Sequence, residues 1–571
     1  LVSFRGSVFR DREIFLCYEK RFLAKERLEM TKISIMKSTL HPLTRSDAIV
    51  VALVFAASLA LYVRTLAPDL LLGDSGEFQT VVYSLGMTHP TGYPVFVLLG
   101  RLFTLIPLGE LAWRANLFIA VQGALAMACV YLIVRMLAGW RVAGVTAAFV
   151  LAVNPLVWFH AVIAELYLPA CLFTAGVILL VLLWRQTGQW KFLAAAGLLG
   201  GLSLGVHSTV ALIAPAVLLY LLLSTLIPRL PPEREKGPWF AAIGGAALGL
   251  ALAFGAFLVL DAIDAHAGYY NATVRHALSA WDMQPADFDS PLERLEFLYT
   301  ARQFSDKMFA DPARVMPVNG ASYWRALAGT FLPVGPILLM GVGMVVLLVF
   351  RWREGLLLLL GWGAQVLFAL NYEVYDYYVF FIPSFVFLAV WAGIGLGAAL
   401  TGLGRALNRI PRAGRAAKPV GAAAGAAVLL VTILFSSGMI TRAWRDGRVT
   451  FAIGGPLDGY PYPIGEPSGP REDARALVDA LEDDAIVFTN WDMLFPYYFV
   501  AHVEAGRTGM DFHEAYPQEG MGGLADSTLA YIKANIDRPI YFTERPQGAA
   551  GLVFKPVVRG GLRLYQITGL K

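Results

Sequence analysis

The sequence predicts a polytopic α-helical membrane protein with a small soluble α/β domain at its C-terminal end. Three observations carry this. Of the 571 residues, 57% are hydrophobic and 15% charged, whereas a soluble domain carries about 25% charged residues. The apolar residues fall in runs of about 20, the length that crosses a hydrocarbon core. The remaining charges gather at the ends of those runs and in residues 441–571. The net charge of +4 therefore reports membrane orientation and not a nucleic-acid partner.

In chain order, residues 1–46 read as a charged cytoplasmic N-terminal segment. No apolar signal core with a small-residue cleavage site precedes the first span, and Met30 or Met36 is the expected translation start. Eleven spans follow, at 47–66, 113–137, 141–159, 167–185, 191–207, 209–228, 238–260, 325–350, 355–371, 377–400 and 420–440. The stretch 94–108 is apolar but short and carries Arg101, so it is expected to lie at the membrane interface. With the N-terminus in the cytoplasm, the inner connections hold Arg135, Arg141, Arg185, Lys191, Arg229, Arg234, Lys236, Arg351, Arg353 and the basic run from Arg405 to Lys418. The turns near 160–166, 207–208 and 371–376 hold no Lys or Arg. This asymmetry follows the positive-inside rule. It puts Asp74, Glu77, His89, Glu165, His207, Glu373 and Asp376 on the outer side.

The division expected is a transmembrane catalytic domain over 47–440, with outer loops 67–112 and 261–324, and a soluble outer domain over 441–571. The loop 261–324 contains an amphipathic stretch from Leu292 to Phe309. The soluble domain opens with a Gly/Pro-rich linker, 454–470, expected to be irregular. Strand-like runs at 485–489, 539–543 and 562–567 alternate with helical patterns at 495–505 and 522–536, which suggests an α/β domain. Cys17, Cys129 and Cys171 are far apart and predict neither a disulfide framework nor a cysteine metal site.

The densest chemistry lies in Gly73-Asp74-Ser75-Gly76-Glu77-Phe78 and His89-Pro90-Thr91-Gly92-Tyr93-Pro94. Asp74 and Glu77 share a face if helical. They either cap an interfacial helix or supply a general base toward a hydroxyl; oxygen ligation of a divalent cation is a third use. His89 is either structural or aimed by the Pro/Gly turn that follows it. Arg114 is either an interfacial anchor or a clamp for a lipid phosphate. Glu165 and Tyr167 border one outer turn, and a carboxylate at that boundary is costly unless paired or solvated. His207 interrupts a long apolar run, turning the chain or donating to a phosphate oxygen. Tyr372 and Asp376 lie in the last outer turn, where tyrosines and carboxylates serve as interface anchors or as a sugar or acceptor subsite. Arg275 and His276 are weaker candidates for headgroup or acceptor contact. No Walker loop, HExxH pair or GxSxG elbow is present.

These motifs, with Arg114-Ala-Asn116, Asn154-Pro-Leu-Val-Trp158, Glu165-Leu-Tyr167, Gly201-Leu-Ser-Leu-Gly205-Val-His207 and Asn490-Trp491-Asp492, resemble the protein O-mannosyltransferase-like branch of the GT-C glycosyltransferases. The resemblance covers about residues 47–210. It implies a GT-C fold, a polyprenyl-phosphate sugar donor and inversion at the anomeric carbon. It makes Asp74 the base and Glu77 its partner, orienting Asp74 or the acceptor. By the resemblance Arg114, His207 and His89 would hold the phosphate; the loop residues themselves add Arg275 to that set and offer Tyr93, Glu165, Tyr167, Tyr372 and Asp376 to the sugar or acceptor. Trp491 stands where relatives usually have glycine, so no role carries over to it.

The expected activity is transfer of a hexose, mannose by resemblance, to Ser/Thr hydroxyls of exported proteins. Lipid or glycan acceptors are the alternative within the class. A transporter of lipid-linked sugar is the rival outside it, disfavoured because transporter sites lie near the midplane between repeats. The partners expected are the polyprenyl-phosphate sugar, an exported protein or peptide, and the bilayer. No cofactor is assigned, although Mg2+ or Mn2+ is compatible with the carboxylates. The Ala/Gly/Leu-rich composition suggests a bacterial inner membrane, with the site and the soluble domain periplasmic.

Overall fold

The computed structural model describes residues 40–226, 238–331, 334–410, 414–447, 469–515, 523–546, 549 and 551–571. Cys17, both candidate start methionines and all but the end of the 454–470 linker lie outside the described residues.

The helices run α1 (Arg45–Arg64), α2 (Gly73–Ser84), α3 (Pro94–Thr104), α4 (Leu111–Ala138), α5 (Arg141–Ala152), α6 (Pro155–His160), α7 (Tyr167–Thr187) and α8 (Trp190–Leu202). They continue as α9 (Ala214–Leu226), α10 (Pro238–Ile263), α11 (Pro291–Tyr299), α12 (Pro312–Thr330), α13 (Val334–Phe350), α14 (Trp352–Leu370), α15 (Ile382–Asn408) and α16 (Ala417–Asp446). Among the described residues, eight helices are long and apolar enough to cross a membrane. They are α1, α4, α7, α9 with its preceding turn, α10, α14, α15 with its preceding turn, and α16.

The other three expected spans, 141–159, 191–207 and 325–350, hold shorter apolar helices: Arg141–Ala152, Trp190–Gly205 and Pro336–Phe350. The first is short because Pro155 cannot donate to the preceding turn. Asn154 instead caps α6, its Oδ1 accepting from the Leu156 and Val157 amides at 3.1 and 3.2 Å. Twelve residues rise about 18 Å, less than a hydrocarbon core of about 30 Å. The third divides between α12 and α13. The stretch from Leu292 is α-helical only to Tyr299, as part of α11, with one further 3-10 turn at Ser305–Lys307.

Helix α15 is the enclosed centre of the bundle, and α16 lies at its edge. Close backbone approach makes the core dense: a Cβ on Gly343 of α13 would lie 1.9 Å from the Trp391 carbonyl oxygen of α15. Small residues at such crossings replace the hydrophobic drive that lipid cannot supply.

The C-terminal domain comprises α17 (Gly469–Ala480), β1 (Ile486–Thr489), α18 (Trp491–Tyr498), β2 (Asp511–Glu514), α19 (Asp526–Ala534), β3 (Ile540–Phe542), β4 (Leu552–Arg559) and β5 (Leu562–Leu570). The sheet order is β2-β1-β3-β5-β4. β1 pairs in parallel with β2 and β3, and β5 is antiparallel to β3 and β4. Strand runs read from sequence appear as β1, β3 and β5, whereas β2, β4 and α17 gave no such signal. The helix expected from 495 starts at Trp491 instead.

This domain rests on both long loops. Arg471 pairs with Asp69 of the first loop and with Glu504 of its own domain. On the second loop, Thr528 Oγ1 donates to the His276 carbonyl at 3.0 Å, and His513 Nδ1 meets the Asn271 carbonyl at 3.0 Å. The sheet domain is therefore held over the end of the bundle where the acidic motif lies.

Candidate active site

The acidic motif forms the start of α2. Gly73 has φ of 58°, a left-handed conformation that glycine adopts without penalty. Asp74 and Glu77 then fall one turn apart on one face. Gly76 allows α18 to approach: a Cβ there would lie 2.4 Å from the Leu71 carbonyl and 3.2 Å from Pro496 Cδ. Thr80 Oγ1 donates to the Phe495 carbonyl at 3.2 Å, fastening α2 to α18.

Glu77 is fully buried, and both its oxygens serve His89. Oε1 accepts from the His89 amide at 2.8 Å, and Oε2 meets His89 Nδ1. Both carboxylate oxygens of Glu77 are thus engaged by His89 and not by Asp74. The His89–Gly92 turn closes through the Gly92 amide donating to the His89 carbonyl at 2.8 Å. The Tyr93 hydroxyl donates to the Pro90 carbonyl at 2.8 Å. These bonds fix the imidazole against Glu77.

Burial alone would lower the His89 pKa, but Glu77, Asp74 and Glu165 outweigh it and hold the ring up at about 9. His89 is therefore an imidazolium at neutral pH. Burial raises the Glu77 carboxyl, and the imidazolium opposes that rise. Burial, then Asp74 and Asp376, push Glu165 well above the usual carboxylate range; Ser75 Oγ donates to its Oε1 at 3.2 Å. Burial and Asp74 push Asp376 up to about 6. Asp492 is raised by the same two causes. Asp74 is thus the shared electrostatic neighbour of Glu77, His89, Glu165, Asp376 and Asp492.

An aromatic wall stands beside these carboxylates. Tyr93 stacks on His207 with centroids 5.8 Å apart. Tyr167 packs against both His207 and Phe380, at 5.7 Å each, and Phe380 contacts Tyr372 at 4.9 Å. His207 Nδ1 accepts from the Thr209 amide and meets its hydroxyl at 3.3 and 2.7 Å. Nδ1 is thereby an acceptor, so the proton of the neutral ring is on Nε2.

Two of the expected phosphate clamps stand elsewhere. Arg114 donates to the carbonyls of Thr104, Leu108 and Gly109 at 2.8–3.2 Å. Its guanidinium is spent tying the chain that leads into α4. Arg275 is exposed and pairs with Asp264 at 2.7 Å and with Asn271. Glu373 leaves the acidic group too, pairing with Arg314. Asp74, Glu77, His89, Tyr93, Glu165, Tyr167, His207, Tyr372 and Asp376 are brought together. Sequence reading missed Phe380, Ser75 and Trp491; the last donates its indole N–H to Asp74 Oδ1 at 2.7 Å. Among the described residues, no group of three or more His, Cys, Asp or Glu is arranged to hold a metal ion.

Residues 74–227 match the family model described as Protein O-mannosyl-transferase TMEM260 N-terminal domain. The Mus musculus protein O-mannosyl-transferase TMEM260 is 34% identical over 154 residues, 27% of this chain and 22% of that protein. Residues 74–227 are therefore similar to the TMEM260 N-terminal domain. This matched segment begins at Asp74 itself and contains Glu77, His89, Glu165, Tyr167 and His207. The Dictyostelium discoideum protein O-mannosyl-transferase tmem260 is 29% identical over 141 residues, 24% of this chain and 17% of that protein. The chain thus spans about a fifth of the length of these curated relatives. The crystal structure of ArnT from Cupriavidus metallidurans bound to undecaprenyl phosphate matches with a TM-score of 0.51 at 14% identity, over 90% of this chain and 97% of that one. The matched segment therefore sits within a GT-C fold.

Proposed function

We propose that this protein is a membrane glycosyltransferase that moves a hexose from a polyprenyl phosphate to Ser/Thr hydroxyls of exported proteins, with inversion. The observation that carries the reading is that Asp74 stands as electrostatic neighbour to the His89 imidazolium, itself paired with Glu77, inside the matched segment. The names of the matched relatives favour mannose and a protein acceptor, and the undecaprenyl phosphate of the ArnT structure favours a polyprenyl donor. The absence of Lys and Arg from the turns at this end favours the outer face, hence the periplasmic side of a bacterial inner membrane.

In this mechanism Asp74 takes the proton of the acceptor hydroxyl as its oxygen attacks the anomeric carbon. The bond from that carbon to the phosphate oxygen breaks on the opposite face, and its electron pair leaves with the phosphate. His89 supplies the charge that stabilises this leaving group. With Nδ1 committed to Glu77, Nε2 is the nitrogen left to meet it. Neutral His207 donates from Nε2 to a second phosphate oxygen. Tyr93, Tyr167 and Tyr372 offer ring faces to the sugar, while Glu165, held toward its neutral form by burial, and the Asp376 carboxylate hydrogen-bond its hydroxyls.

The test is transfer by purified protein in detergent, with radiolabelled polyprenyl-phosphate mannose and a Ser/Thr-rich peptide library. Transfer by the wild type and its loss in Asp74→Asn are the expected results. Full activity in a folded Asp74→Asn variant refutes the base assignment. Donor hydrolysis with no peptide product refutes the protein acceptor and redirects the search to lipids and glycans.

A further inference from the structure

We propose that Trp491 of the soluble domain is a positioning residue for Asp74, so that the soluble domain completes the reaction centre. This inference rests on the reading of Asp74 as the base.

The local sequence builds the contact. Asn490 precedes α18, and its Oδ1 accepts from the Met493 amide at 3.2 Å, a capping bond that fixes where the helix begins. Trp491 is therefore the first helical residue, at the end of α18 that meets α2. Its indole N–H donates to Asp74 Oδ1 at 2.7 Å. The ring is half-buried and held on three sides, by Phe495 at 5.2 Å, His89 at 5.9 Å and Tyr269 at 6.1 Å. A ring so held has one orientation for its N–H. Thr80 to Phe495 on α18 and Arg471 to Asp69 brace the same domain on either side.

The chemistry follows from the donor inventory. An indole nitrogen donates and never accepts, so Trp491 occupies one carboxylate oxygen of Asp74 without taking its proton. Oδ2 is left as the oxygen that receives the acceptor proton. A carboxylate on a short side chain turns about its last bond; one bond to a fixed ring removes that freedom and presents Oδ2 in a single direction. Trp491 touches neither donor nor acceptor in this scheme and acts through Asp74 alone.

The test uses the full-length chain in detergent, with mannosyl transfer as the readout. Trp491→Phe keeps an aromatic ring against Phe495, Tyr269 and His89 but deletes the donor. The expected result is a fall in kcat on the order of tenfold, with both KM values within about twofold. The thermal midpoint is expected to stay at the wild-type value. A merely structural role is separated by the Asp74→Glu background, where the lengthened side chain has already moved the carboxylate from the indole. There Trp491→Phe is expected to cost nothing further. Wild-type kcat in Trp491→Phe overturns the proposal and leaves the reaction standing. An equal loss in both backgrounds also overturns it, by showing that the ring acts through packing. Absence of transfer by the wild type from any polyprenyl-phosphate sugar removes the reading of the reaction, and this role falls with it.

Discussion

Replacing Glu77 with Gln removes the charge that keeps His89 protonated while preserving the shape of the pair. The amide oxygen still accepts from the His89 backbone N–H, as Oε1 does at 2.8 Å. What changes is the ring. His89 rises from an ordinary 6.5 to about 9 because Glu77, Asp74 and Glu165 outweigh the effect of burial. That interval corresponds to about 3 kcal/mol in favour of the imidazolium. Glu77 is the largest of the contributions that raise it, so its loss moves the ring down from about 9 toward the neutral form that burial favours. Loss of one charged donor to a leaving phosphate is worth about 10²–10³ in kcat. The assay is steady-state mannosyl transfer across pH 5.5–9.5, with a melting curve for each variant. The sign follows from the shift: in the wild type the imidazolium persists until pH rises through about 9, and activity falls above that. In Glu77→Gln the fall moves to lower pH, and acidification recovers part of the lost rate. Wild-type kcat at pH 7.5 in Glu77→Gln, with an unmoved alkaline limb, refutes the role of the pair.

Three further outcomes are expected. Arg114→Gln lowers the thermal midpoint by removing donors to three backbone carbonyls, at about 1–3 kcal/mol, with the donor KM unchanged; a raised donor KM in a folded variant would restore Arg114 as a phosphate clamp. Arg471→Ala leaves Asp69 without its ion-pair partner and Glu504 with Arg475 alone and costs about 3 kcal/mol, read by denaturant unfolding followed by tryptophan fluorescence; an unchanged midpoint removes Arg471 from the docking contact. Chelation with EDTA leaves kcat within about twofold, because leaving-group charge is met by His89; a loss that Mg2+ or Mn2+ restores would put a cation among the carboxylates.

The spans were legible because lipid imposes one demand on composition, about 20 apolar residues per crossing. That rule reads length but not continuity. It passed over Asn154-Pro155, where a missing N–H ends α5 and a side-chain cap starts α6. It also joined α12 to α13, since no charge marks that break. In the soluble domain, β2 (Asp511–Glu514) is four residues with no alternating pattern, and pairing with β1 supplies what its sequence does not.

The site was legible where its contacts are local. Asp74 and Glu77 are one turn apart, and His89 lies twelve residues beyond Glu77, within one loop that Pro and Gly shape. Arginine is the opposite case. Its five donors suit a phosphate or a row of carbonyls equally well, and only the fold shows that Arg114 faces the carbonyls of 104–109. Trp491 lies 417 residues from Asp74, and nothing near it signals a carboxylate partner. Its reach explains a feature that the acidic loop alone does not. A base beside the membrane in an open loop would be hydrated and free to turn. Here α18 covers α2, Gly76 admits the cover, and one N–H reaches the carboxylate. The soluble domain is thus coupled to the chemistry through a bond, and a change in its docking is expected to register in kcat before it registers in binding.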